Sequence, residues 1–212
     1  MTGYLRDAAA LARKDLLLEL RGRETLPSMA LFVVATLVAF RFALAGEAEA
    51  ASEGLLWVAI VFTALLGLGR AFVPEREQGV LDGLVLAPCD RSAIWLAKVV
   101  ATFAFLVLVE AIALPAFALF FGGVGAATLA AVLLANVGIC AVGCLLAAMA
   151  AAGRARELLL PLLFLPLAIP IVAGGVGAGV TDDPGRYLGF LGLYDAIFAI
   201  LAWASFEYVV TE

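Results

Sequence analysis

Residues 74–91 read PEREQGVLDGLVLAPCDR, with Glu75, Glu77 and Asp82 in the first half and a Pro-Cys-Asp turn near the end. The stretches on either side, residues 54–73 and 93–121, carry almost no charge. A charged, turn-rich knot between two long apolar runs is what a chain shows where it leaves a membrane and re-enters it. Each flanking run is near or above the ~20 residues that cross about 30 Å of hydrocarbon at 1.5 Å per residue.

The rest of the chain repeats that alternation. Of 212 residues, 65% are hydrophobic and 15% charged, and the mean hydropathy is +1.12. Soluble domains are about half apolar and a quarter charged, so the surplus here calls for lipid rather than a larger core. The reading is an all-α integral membrane protein with spans at about 28–45, 54–73, 93–121, 128–152, 158–180 and 188–209. The third is longest, and its start around Ile94 to Lys98 is expected to project or tilt. Trp57, Trp95 and Tyr208 fall near span ends, where amphipathic rings favour the interface.

Basic residues set the orientation. Arg6, Arg13, Lys14, Arg21, Arg23, Arg70, Arg76, Arg91, Lys98, Arg154 and Arg156 lie on one side, and Arg41 and Arg186 on the other. This bias predicts cytoplasmic termini and a cytoplasmic knot. The thirteen Lys and Arg are scattered, with no basic stripe interleaved with aromatics, so nucleic acid is not an expected partner. No cleavable signal peptide is read, since residues 1–27 mix charges before the first apolar run.

Residues 1–27 form a different element. Leu5, Ala8, Ala9, Ala12, Leu16 and Leu20 recur at helical spacing, with the bases largely elsewhere on the wheel. The pattern fits an amphipathic helix on the inner surface, its bases toward anionic lipid; a solvated helix is the plainer alternative. Gly22 and Pro27 end it.

Within the knot, Pro74 suits a first helical turn, and Glu75 and Glu77 suit the positive end of a helix dipole. Val80, Leu81, Leu84 and Val85 offer an apolar face, Ala87-Pro88 ends the element, and Asp90 or Ser92 can cap the next helix. Such an element is a handle for a cytoplasmic partner, or an ordinary capped loop.

Inside the spans, Glu110, Asp195 and Asn136 are the polar residues of note. Intramembrane charge is costly, so each carboxyl should face protein, with Asn136 or Thr102 as partner, or serve a substrate path. Glu110 is read as deeper than Asp195, which lies nearer an outer end. Cys140 and Cys144 share a helix face, and a small-residue stripe for helix contact explains them better than metal. The glycines at 174, 175, 177 and 179, with Pro161, Pro166 and Pro170, predict close packing or a broken fifth span.

The run from Arg70 through Glu75-Arg76-Glu77, Gly79, Leu81-Asp82, Leu84, Leu86-Ala87-Pro88, Arg91 and Ile94 to Lys98 resembles the signature of ABC-2 type transporter permeases. Residues 12–27 (ARKDLLLELRGRETLP), 54–72 and 161–174 are similar to the haem exporter permease B subunit of the cytochrome c maturation system. Val80 and Cys89 depart from that pattern. The resemblance implies one permease domain over 1–212, with 74–91 as the coupling segment. It implies that Glu75, Arg76, Glu77, Gly79, Leu81, Asp82, Leu84, Pro88 and Arg91 meet an ATP-binding cassette subunit, with Arg154, Arg156 and Glu157 as a minor contact.

The same resemblance implies a second copy of the chain, a haem-handling membrane protein, a small single-span subunit and a periplasmic haem chaperone as partners. ATP and Mg belong to the partner subunit, because no G-x-x-x-x-G-K-[ST] phosphate cradle occurs in this sequence. The chain itself is expected to be non-catalytic and to bind no cofactor directly: it has no histidine, the commonest haem ligand. Haem belongs to the wider complex. Two alternatives stand beside this reading, a proton-coupled carrier using Glu110 and Asp195 and a passive scaffold for the maturation partners.

Overall fold

Long apolar runs with few breakers leave the backbone no choice in lipid but to bond to itself, and nearly all of the described residues are helical. The computed structural model describes residues 2–22, 25–44, 51–73, 90–152 and 156–211. Its helices are α1 (Thr2–Gly22), α2 (Thr25–Ala43), α3 (Ser52–Arg70), α4 (Arg91–Phe121), α5 (Ala126–Ala152), α6 (Arg156–Val180) and α7 (Gly185–Thr211). The last six are long and apolar enough to cross a membrane. The protein is a multi-pass, all-α membrane protein, and its spans start within three residues of the positions read from hydropathy.

Helix ends follow local chemistry. Asp90 is extended, and its carboxylate accepts from Ser92 N at 3.0 Å, which caps α4 as its position in the sequence suggested. α4 runs on through Pro115 to Phe121 and stops at Gly122, whose φ of 98° is a left-handed conformation that glycine adopts at little cost. α1 is tied to the start of α2 by Glu19, whose carboxylate accepts from Thr25 N at 2.6 Å and Leu26 N at 2.9 Å. Those two donors open α2 and have no partner within the helix, so a residue of α1 supplies their cap.

α5 is the hub. It packs against α3, α4, α6 and α7, and 67% of its apolar window is buried, against 17% for α2 and 22% for α7. Small residues allow this: Ala131, Ala135, Cys140, Ala141, Cys144 and Ala147 all lie in the buried cluster. Without a hydrophobic drive between helices in lipid, close backbone approach is what holds such a seam. α2 flanks α3 and α4, and α1 lies against α4.

One alternative is decided here and one expectation changes. α6 is unbroken through its three prolines to Val180, so its glycines serve close packing rather than a break. Trp57 packs against Gly175, Tyr187 against Gly177 and the Glu53 carboxyl against Gly179, each where any side chain on α6 would collide. Trp57 is therefore fully buried and Trp95 nearly so, and of the three expected interfacial rings only Tyr208 is exposed. Packing partners in the bundle outbid the interface for the two indoles.

Candidate functional site

The start of α4 is the first polar centre. Because α4 is longer than a bilayer is thick, its early turns need another cover, and α1 provides it. Ala8 and Ala12 are buried, while Leu5 and Leu20 are exposed, so the apolar stripe of α1 is divided between the bundle and its surroundings. Lys98 Nζ lies 2.9 Å from Asp15 Oδ2, with both side chains buried, and 5.2 Å from the centre of the Phe72 ring. Ser92 Oγ donates to the Tyr4 hydroxyl at 3.3 Å, a second tie from α4 to α1. Trp95 Nε1 donates to the Ala141 carbonyl of α5 at 3.2 Å. The residues entering and leaving segment 74–89 are thus both tied to α1, Phe72 by way of Lys98 and Ser92 directly.

Arg91, the one residue of the expected coupling set within the described residues, opens α4 and pairs with Glu207 of α7 at 3.7 Å. Glu207 is exposed and Arg91 partly so, and the pair is long, so it adds little. Glu75, Arg76, Glu77, Gly79, Leu81, Asp82, Leu84 and Pro88 lie outside the described residues, as does Arg154. The backbone of Arg156 and Glu157 begins α6.

The second centre lies in the bundle. Asn136 Nδ2 donates to Glu110 Oε2 at 2.7 Å, joining α5 to α4. Asp195 of α7 sits against Gly138 of α5, where a Cβ would strike its carboxyl. Asn136 and Gly138 are two residues apart, so the two acids meet different faces of α5 within about 3 Å of one level along its axis. Both are buried, Glu110 at 5% exposure and Asp195 at 6%. Asp195 lies farther inside its helix than hydropathy suggested because α7 starts at Gly185. Tyr194, beside it, donates to the Leu167 carbonyl of α6 at 2.8 Å, just before Pro170.

Around this level the cysteines behave as helix-contact residues. Cys140 and Cys144 are fully buried, and the Cys144 thiol lies 3.6 Å from Thr102 Oγ1. Thr102 therefore serves Cys144, and Asn136 is the partner of Glu110. Sequence reading missed a third polar contact, Thr128 Oγ1 donating to Glu53 Oε1 at 2.9 Å between α5 and α3. Glu53 had the look of a loop residue, and the signal for it was Gly179, too small for anything but a close neighbour.

The sequence profile of the CcmB protein family matches residues 6–206. The Pseudomonas aeruginosa protein named "Heme exporter protein B" is 33% identical over 174 residues, covering 79% of this chain and 78% of its own. The Paracoccus denitrificans protein of the same name is 32% identical over 182 residues, 82% of this chain and 83% of its own. The matched region contains α4, α5 and the segment between α3 and α4, and the chain belongs to the CcmB protein family.

Proposed function

We propose that this chain is the membrane permease subunit of an ATP-driven complex for cytochrome c biogenesis, acting in haem export or in release of a haem-loaded periplasmic chaperone. The observation that carries the reading is similarity, over about four-fifths of the chain, to two proteins named for haem export. The six-span bundle suits a permease. The subunit is itself non-catalytic; ATP and Mg are bound by an ATP-binding cassette partner that grips residues 74–91 and, less firmly, 154–157.

Under this reading residues 1–212 form one ABC-2 type permease domain in the cytoplasmic membrane with both termini inside, as the distribution of basic residues favours. A second copy, the haem-handling membrane protein, the small single-span subunit and the periplasmic haem chaperone complete the assembly. The anchoring of Phe72 and Ser92 to α1 suits a segment that receives force, since a push on 74–89 then reaches α1 and, through Glu19, α2.

The test is genetic. Deleting the gene should abolish covalent haem attachment to c-type cytochromes, and the wild-type chain should restore it only alongside an ATPase subunit with an intact phosphate loop. Full restoration with a hydrolysis-dead ATPase would sink the ATP-driven reading. A proton-coupled carrier is favoured by one observation, the two buried acids, Glu110 of α4 and Asp195 of α7, packed against α5; it predicts loss of function on collapsing the proton gradient with ATP kept constant.

A further inference from the structure

Buried polar atoms in a bundle normally find partners, so those that lack one are informative. Among the described residues, Glu110 Oε1 and Asn136 Oδ1 are buried without a hydrogen bond, although the same two side chains are already joined through Oε2 and Nδ2. Both leftover atoms are oxygens. An ionised carboxylate only accepts, so Glu110 in that form has nothing to offer Asn136 Oδ1. A neutral carboxyl presents one donor and one acceptor, the complement of an amide.

We propose that the seam between α4 and α5 is a proton-binding site, in which Glu110 is held as a neutral carboxylic acid in a two-bond ring with Asn136. In the ring Nδ2–H donates to Oε2 and Oε1–H donates to Oδ1. One proton satisfies both orphaned oxygens. Closing the ring asks only that the two planar groups turn to face each other about a bond already made.

The charges around the site agree. The described ion pairs, Lys98 with Asp15, Lys14 with Asp15, and Arg91 with Glu207, all lie toward the start of α4. Lys98 is twelve residues before Glu110, about 18 Å along the helix. On α5 the ionisable neighbours are Cys140, one turn from Asn136, and Cys144, which meets Thr102 of α4. Behind α5, α7 presents Asp195 and Tyr194. None of these is a cation. An isolated carboxylate among them would be desolvated with one amide donor for compensation, which is the costly arrangement. With the proton gone, two acceptors would oppose each other where α4 and α5 now hold together. The site is thus a joint between two spans that a single proton closes.

The inference does not depend on what the protein transports and can be tested on the purified full-length chain in lipid nanodiscs. Infrared spectra at neutral pH, with and without ¹³C-glutamate, should show a protonated-carboxyl C=O band that shifts with the label and disappears in Glu110→Gln. Glu110→Gln should melt at the wild-type temperature, because glutamine supplies an N–H where the acid supplies its O–H. Asn136→Leu removes both ring bonds, so it should lower the melting temperature and move the acid band to the higher frequency of an unbonded carboxyl. The proposal is overturned if wild type lacks the labelled acid band or if the band survives Glu110→Gln. A Glu110→Gln chain that does not fold, or a band unmoved by Asn136→Leu, overturns it too.

Discussion

Lys98 of α4 and Asp15 of α1 form a buried ion pair, 2.9 Å from Nζ to Oδ2, at the place where α1 covers the start of the longest span. It fastens a helix that composition alone would leave lying loosely on the membrane. Removing Lys98 strips the buried Asp15 carboxylate of its buried counter-charge and leaves it the partly exposed Lys14, 3.1 Å away, at a cost on the order of 1–3 kcal/mol. Lys98→Met should therefore lower the melting temperature in detergent and open Ala12→Cys, otherwise buried, to maleimide. Adding Asp15→Leu should recover most of the loss, since a packed apolar pair replaces the ions well. A Lys98→Met chain that melts like wild type would show that α1 is held by other means.

Gly138 and Asp195 should be coupled. A methyl group on Gly138 collides with the Asp195 carboxyl, so Gly138→Ala is expected to cost about 1–3 kcal/mol as overpacking. Shortening the acid in Gly138→Ala/Asp195→Ala should give back about 0.5–3 kcal/mol of coupling energy in a double-mutant cycle on thermal stability. Strict additivity would mean that the acid does not sit against this glycine.

Gly175 is the place where Trp57 enters the α3–α6 seam, and Trp57 is fully buried. Gly175→Val should cost several degrees of melting temperature, within the overpacking range of about 1–3 kcal/mol. Gly189→Ala on α7, with nothing near its Cβ position, is the matched control and should be neutral. Equal melting temperatures for the two variants would contradict the packing.

Glu75 and Glu77 are expected to contact the ATPase. Reversing both to Lys should leave insertion and span number unchanged while abolishing co-purification of the ATPase subunit, because like charges at a contact cost several kcal/mol. Undiminished co-purification and cytochrome maturation would remove 74–91 from that role.

Ala155, between α5 and α6, is expected on the cytoplasmic side. An Ala155→Cys substitution in a background lacking the three native cysteines should react with a membrane-impermeant maleimide only after the inner face is exposed. Labelling of intact cells with a permeabilised outer membrane would invert the topology.

The order, length and polarity of the six spans could be read along the chain, as could the cap at Asp90 and the end of the third span near Phe121. These properties are local: a run of apolar residues either spans the hydrocarbon or does not, and a cap needs only its next two residues. The division of the α1 stripe was harder to read, because Leu5 and Ala8 look alike on a helical wheel and only the neighbouring α4 separates them. Trp57 misled for a related reason. Its place near a span end favoured the interface, yet Gly175, far away in sequence, made room for it in the core.

Sequence alone determined that this chain lives in a membrane as six helices, and residues 74–91 with the spans around them carried its family. Tertiary structure alone decided the pairings: Asn136 with Glu110, Gly138 with Asp195, Lys98 with Asp15, Thr128 with Glu53. Hydropathy records how much each segment prefers lipid to water, a sum over its own residues. Which acid meets which partner depends instead on the rotation and height of one helix against another. Small residues spread over α5 and α6 set those by allowing close approach at some faces and not at others.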